Sequence, residues 1–173
     1  MSRHVSVLLG AAVALGAIAL TIGSATADSK PPTTQKLAIV GHSAFKVNKL
    51  AFDSQRFSMG TFVIRSGGTV AVRNRAKTED PHTISLVKKS QLPRSFDCQV
   101  CGAILGAHDI DESTGSMANP VVDVGAAGYD QPGDSTFIAP HGKVSFKVSA
   151  PAGRTLHFMC AIHAWMQGRI KVR

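Results

Sequence analysis

Cysteine is scarce in this chain, with three among 173 residues, at positions 98, 101 and 160. None lies beside the apolar N-terminal stretch, which excludes a lipoprotein anchor. Gly102 stands where a haem-attachment motif needs histidine, so Cys98-Gln99-Val100-Cys101 is not a haem site. The βαβ pattern that would support a thioredoxin-like dithiol is missing as well. No Ser-His-Asp set and no carboxylate pair stands out, which leaves an enzyme as the reading with least support. There is no internal repeat, and nothing resembles a nucleic-acid module. Aromatic residues make up only 6% of the chain.

The N-terminus has a pattern of its own. Arg3 and His4 precede an apolar stretch from Val5 to Ile22, and Ala25-Thr26-Ala27 supplies small residues for an A-x-A cleavage site. Residues 1–27 therefore read as a secretory signal peptide, with an uncleaved anchor as the alternative. Cleavage after Ala27 leaves 146 of the 173 residues, enough for one domain with a real core and tight for two. Residues 28–36 are a polar, proline-containing leader, and 37–173 are the expected domain, with no membrane span in the mature chain.

Charge divides unevenly. Residues 90–135 hold seven acids and one base, whereas the rest of the mature chain has 17 Lys+Arg against 4 Asp+Glu. A basic body with an acidic insert, in an exported protein, points to acidic protein partners or anionic envelope surfaces rather than nucleic acid.

What the chain does have is period-two alternation. Val144, Phe146 and Val148 alternate with Lys143, Ser145, Lys147 and Ser149, and Leu156, Phe158 and Cys160 continue a second run. Further strands are predicted over 37–40, 61–64, 69–73, 83–87 and 168–173, with the turn Ser66-Gly67-Gly68 among them. Short strands separated by Gly, Pro, Asn and Asp turns predict an all-β antiparallel sandwich or barrel.

Parity then assigns faces. His82 shares a face with Ile84 and Leu86, and Cys160 shares one with Leu156 and Phe158, because side chains two apart point the same way. Cys160, His163 and Met166 follow at three-residue intervals just before the last strand. If the strand ends meet at one pole, these three and His82 converge there. One thiolate, two imidazoles and a weak thioether form a trigonal copper set with a long axial sulfur; zinc would more readily take another Cys, His or carboxylate.

Cys-x2-His-x2-Met-x-Gly before a closing strand, with Pro81-His82-Thr83-Ile84 upstream, resembles the cupredoxins, with ligand spacing of the short-looped amicyanin type. Ser66-Gly67-Gly68-Thr69-Val70 and Asn74 also resemble the strand pair ahead of that family's first histidine. The resemblance spans roughly 37–88 and 136–173. It implies a Greek-key β-sandwich holding one type 1 copper, with His82, Cys160 and His163 equatorial and Met166 axial. It also implies a monomeric electron carrier that meets redox protein partners through the exposed edge of His163 in an apolar patch. Ala164 replaces the family's frequent proline, and Thr83 replaces its frequent asparagine. An exported, periplasmic or extracellular carrier is the leading reading, and a copper storage or delivery protein the alternative. Multicopper oxidases and nitrite reductases have similar domains, but paired-His motifs for a catalytic copper cluster are lacking here.

Residues 90–135 have no counterpart in the minimal family pattern. A short helix capped by Asp97 is expected to run to about Leu105. Cys98 and Cys101 form an even pair once Cys160 is assigned to copper. They read as a disulfide, with a redox dithiol or a second metal site including His108 as alternatives. The acidic run 109–112 reads as a solvated loop, since Gly115 does not fall where an EF-hand needs its turn. The insert covers one sandwich face or approaches the copper pole. His42 and His141 read as surface residues in turns. His157 has the opposite parity to Cys160, and Met159 reads as packing on the far face.

Overall fold

A computed structural model of the chain describes residues 30–110, 114 and 117–173. The signal-peptide reading, the first leader residues and Asp111 and Glu112 of the acidic run, with Gly115, lie outside those residues. Twelve strands are formed: β1 (Thr34–Val40), β2 (Ser43–Lys46), β3 (Leu50–Asp53), β4 (Arg56–Phe57), β5 (Thr61–Ile64), β6 (Thr69–Asn74), β7 (His82–Val87), β8 (Val121–Val122), β9 (Ser135–Ile138), β10 (Lys143–Lys147), β11 (Thr155–Met159) and β12 (Gln167–Val172). Among the described residues a short 3-10 turn, Lys89–Gln91, and one α-helix, α1 (Gln99–Ala107), stand between β7 and β8. No helix among the described residues is long and apolar enough to cross a membrane.

The strands form a sandwich of a four-stranded sheet, in the order β10-β6-β1-β4, and a six-stranded sheet, β5-β12-β11-β7-β9-β8. The chain changes sheets between β4 and β5, β5 and β6, β6 and β7, β9 and β10, and β10 and β11, which gives the crossings of a Greek-key sandwich. Alternation explains the filling. Leu37, Ile39, Val70, Val72 and Phe146 from one sheet meet Ile84, Leu86, Leu156, Phe158, Ile170 and Val172 from the other in one core. Gly67, at φ 77°, closes the turn before β6 in a conformation that costs glycine little.

Gly168 marks the tightest approach. A methyl group placed there would overlap the ring of Phe158, its partner across β11 and β12, and Phe158 is fully buried. Gly168→Ala is therefore expected to cost about 1–3 kcal/mol, the range for overpacking, read as a lower urea midpoint.

β7 is buried at every position, not only on its core face. The reason is the insert. Its helix packs Cys101 and Ile104 on Val87, Met159 and Ala161, forming a second apolar cluster on the outer face of the six-stranded sheet. Cys98 and Cys101 are joined by a disulfide with Cα atoms 5.4 Å apart, as expected, which leaves neither sulfur free to ligate a second metal. The helix cap differs from the expectation: Cys98 is the N-cap and no side chain caps it, so Asp97 lies one residue too early. Tyr129, 2% exposed, stacks on Phe146 at 3.8 Å and ties the end of the insert to the sandwich. The buried carboxylate of Asp134 accepts the N–H groups of Val124, Asp130 and Gln131, so backbone donors of the insert satisfy it.

Candidate metal centre

Three segments meet at one pole of the sandwich. β7 begins at His82. Met159 pairs with Gln167 across β11 and β12, which leaves Cys160 to Met166 as the connecting loop. That loop is closed on itself: the Cys160 N–H donates to the Met166 carbonyl and the Met166 N–H to the His163 carbonyl, each at 2.9 Å. Asn74, 2% exposed, secures the approach to His82. Its amide donates to the carbonyls of Asp80 and Ala139 at 3.1 and 3.3 Å, and its oxygen accepts the Ala76 N–H at 3.1 Å.

The structure brings together His82, Cys160 and His163, whose ligand atoms all lie within 4.8 Å of one another. The Cys160 sulfur is 3.8 Å from His82 Nδ1 and 3.7 Å from His163 Nδ1. The two rings stand 4.6 Å apart between centroids. Met166 is 1% exposed and shares the core cluster with Cys160. A first-row ion about 2.3 Å from sulfur and about 2.0 Å from nitrogen, with about 120° between them, spans about 3.7 Å from sulfur to nitrogen. The two observed sulfur-to-nitrogen edges match, so the donors suit a metal held by one thiolate and two imidazoles.

Burial governs the protonation of these groups. His82, fully buried, is lowered to about 4, first by desolvation and then by the neighbouring His163, with Asp80 and Asp53 opposing. Desolvation lowers His163 too, again against Asp53 and Asp80. The Cys160 thiol is pushed up by burial, and hydrogen bonds led by the Thr83 backbone oppose that rise. Two neutral imidazoles and a thiol that gives up its proton to a metal are the forms such a site requires. His82 Nε2 has no hydrogen-bond partner, and its Nδ1 faces the sulfur.

Thr83 takes over the bracing expected of asparagine. Its N–H donates to the Cys160 sulfur at 3.3 Å, and its hydroxyl oxygen accepts the Ala161 N–H at 2.8 Å. Both flank the thiol without adding a charge.

One expectation is corrected. The edge of His163 is not exposed: the residue is 6% accessible, and Nε2 lies 3.3 Å from the amide of Gln55. Gln55, 1% exposed, also donates to Asp53 and Asp80 at 3.0 and 2.8 Å, and Trp165 donates its indole N–H to the Gln55 carbonyl at 3.0 Å. The cover comes from Gln55, in the link between β3 and β4, and Trp165, in the ligand loop; the preceding β2–β3 hairpin is exposed along both strands and shows no core-facing alternation. Gln55 and Trp165 stand over the ring, and beyond them Phe45, Phe52 and Phe96 line a groove with Trp165.

The remaining histidines stand apart from the centre. His42 and His141 are exposed, the latter 3.1 Å from Glu79. His157 is half-buried, and Met159 packs against the helix as expected. His108 is fully buried and hydrogen-bonded to Ser135 and the Asn119 carbonyl rather than near the cysteines' sulfurs.

No protein-family model matches the chain, and no curated protein matches it. Solved structures do. The chain is similar to a reduced auracyanin from Roseiflexus castenholzii at 19% identity, over 83% of this chain and 99% of that one, with a TM-score of 0.44. It is similar to auracyanin A, a "blue" copper protein from Chloroflexus aurantiacus, at 18% identity, over 81% and 99%, with a TM-score of 0.43. A purple cupredoxin from Nitrosopumilus maritimus matches at 12% identity, over 80% and 99%, also at 0.43.

Proposed function

We propose that this chain is an exported cupredoxin holding one type 1 copper and carrying single electrons between redox proteins. The observation that carries this reading is the buried His82–Cys160–His163 triangle, whose sulfur-to-nitrogen edges of 3.7 and 3.8 Å suit a metal held by one thiolate and two imidazoles. His82, Cys160 and His163 would hold the metal in the trigonal plane, with Met166 as the weak axial group. When bound, copper supplies the one-electron couple between Cu(II) and Cu(I).

The protein's own part is to hold the donors still and keep water out. Cys160, His82 and Met166 are all no more than 1% exposed, and the self-closed loop fixes the spacing of its three donors. A donor set that moves little between two charge states lowers the rearrangement that electron transfer requires. Four closed donors also favour a carrier over a delivery protein, which needs an accessible, labile site.

Partners would dock where His163 comes nearest the surface. Trp165 is 44% exposed, Phe96 86% and Phe45 75%, and Lys46 lies on the same hairpin as Phe45. The groove's one charged lining residue is Asp53, and the basic body of the chain around it suits a redox protein with an acidic rim. Export follows from the reading of residues 1–27.

Visible absorption and electron paramagnetic resonance of the Cu(II)-loaded mature protein test the reading. An intense thiolate-to-copper band with a narrow copper hyperfine splitting is the expected result; a pale, ordinary copper spectrum rejects it. Met166→Gln is expected to retain the copper and the thiolate band while shifting the midpoint potential, because the axial group tunes the couple without holding the metal alone.

A further inference from the structure

The insert packs on the outer face of the six-stranded sheet, and the outward positions of the four-stranded sheet are all exposed or half-buried. The strands of that second sheet carry five cations, Lys36, Arg56, Arg73, Lys143 and Lys147, and no acid. Leu37, Ile39, Phe57, Val70, Val72 and Phe146 fill the core side, so the period of two turns all five cations outward, and all five are exposed. Register sets them in rows across the strands. Lys143 lies opposite Arg73 with Ala38 beyond, Ser145 opposite Ala71 with Lys36 beyond, and Lys147 opposite Thr69 with Thr34 beyond. Arg56, on the far edge, pairs with Val40.

We propose that this sheet face docks the protein on an anionic lipid surface, with headgroup phosphates meeting the array of Lys36, Arg56, Arg73, Lys143 and Lys147. It calls on no residue of the metal centre and stands whether or not the copper reading does.

Like charges directly opposite in a sheet are destabilising, and Lys143 and Arg73 are such a pair, with no acid on any of the four strands to offset them. Among the described residues the one ion pair joins His141 and Glu79, so none of the five cations is neutralised in that way. An anionic surface offsets the repulsion. Each Lys or Arg held near anionic lipids strengthens attachment about fivefold. The layout selects a membrane over a linear polyanion: neighbouring strands stand about 4.8 Å apart, so four of them spread the charges over roughly 14 Å across as well as along the strands. A line of cations would track a polymer, whereas this two-dimensional array faces a plane of headgroups. An acidic protein fits less well. None of the large apolar residues exposed on the molecule lies on this sheet, so the face lacks the apolar anchors at the centre of protein interfaces. Thr34, Ala38, Thr69, Ala71 and Ser145, the positions between the cations, are small enough to let phosphates reach the charges, and with nothing apolar to insert, the attachment is electrostatic.

Sedimentation of the mature protein with vesicles of phosphatidylcholine, with and without phosphatidylglycerol, tests this at low and raised salt. The parent is expected to sediment only with the anionic vesicles and to be released by salt, since screening shortens the reach of the charges. Arg73→Gln with Lys143→Gln should weaken that binding by about 25-fold, two cations at about fivefold each. Lys36→Gln with Lys147→Gln should weaken it as much, which covers the case of one pair failing to fold. Arg154→Gln with Lys171→Gln, exposed cations outside the four-stranded sheet that remove the same net charge, should leave it near the parent's value. Equal loss in that control overturns the proposal, because net charge rather than this face would then govern binding. A parent that ignores the anionic vesicles also overturns it; retention by soluble polyphosphate would then assign the face to a linear polyanion, and failure to bind either would leave it to an acidic protein.

Discussion

Cys160→Ser is expected to abolish the intense visible band of the Cu(II)-loaded protein completely. A serine hydroxyl is not ionised at neutral pH and its oxygen is a harder donor, so the sulfur-to-copper charge transfer has no counterpart. Affinity for Cu(I) should fall further than the roughly 10–100-fold that loss of an outer hydrogen-bond partner costs, since a direct soft donor is lost. The fold should survive. The substitution is nearly isosteric, and the serine oxygen inherits the Thr83 N–H that now donates to sulfur at 3.3 Å. Folding is checked by circular dichroism, and copper binding by competition with a Cu(I) chelator of known affinity. A folded serine variant that remained intensely blue would remove Cys160 from the metal and with it the type 1 assignment.

The same residues show where sequence reasoning reaches and where it stops. Strands whose two faces meet different surroundings were legible. Val144 and Phe146 alternate with polar residues in β10, and the parity of β11 places Cys160 on the core side with Leu156 and Phe158. The four expected donors follow from that parity and from one loop. The β2–β3 hairpin was missed because neither of its faces is buried, so its apolar residues form no one-sided pattern. Its tight turn rests on Asn48 at φ 57°, a cue too common to define a hairpin alone. Gln55 was missed with it, since it meets His163 from 108 residues away, and no local spacing encodes such a meeting. The outer row of β7 offered a fainter signal: Thr83, Ser85 and Val87 share the face opposite Ile84 and Leu86. A polar row of that kind carries no sign of a buried role, and only the fold shows the insert covering it. His108 belongs to the same lesson, because CxxC with a nearby histidine suggests a metal site by type, and only the fold shows the ring turned toward Ser135.

The metal-free protein is expected to lose stability between pH 6.5 and about 4, with His82 the source. In the unfolded chain His82 takes up a proton near its ordinary value of 6.5, whereas in the fold desolvation holds it to about 4. Above 6.5 the ring is neutral in both states and contributes no pH dependence. As pH falls through the window, the unfolded state binds the proton first, so the folded state is progressively disfavoured, and the loss is complete below the folded value. The size of the shift corresponds to about 3 kcal/mol, a large part of the net stability of a domain of this length. His163 is lowered in the same direction and adds to the loss. Urea midpoints measured at pH 7 and at pH 4.5 read the effect directly, and His82→Asn, uncharged at every pH, separates it from the titration of carboxylates. The parent should lose much more stability than His82→Asn over the same interval. A metal held by the neutral rings binds the fold and not the unfolded chain, so loading should displace the loss to lower pH. Equal pH dependence in parent and variant would mean that the buried ring takes its proton as easily as an exposed one, and the dry pocket inferred around the donors would have to be abandoned.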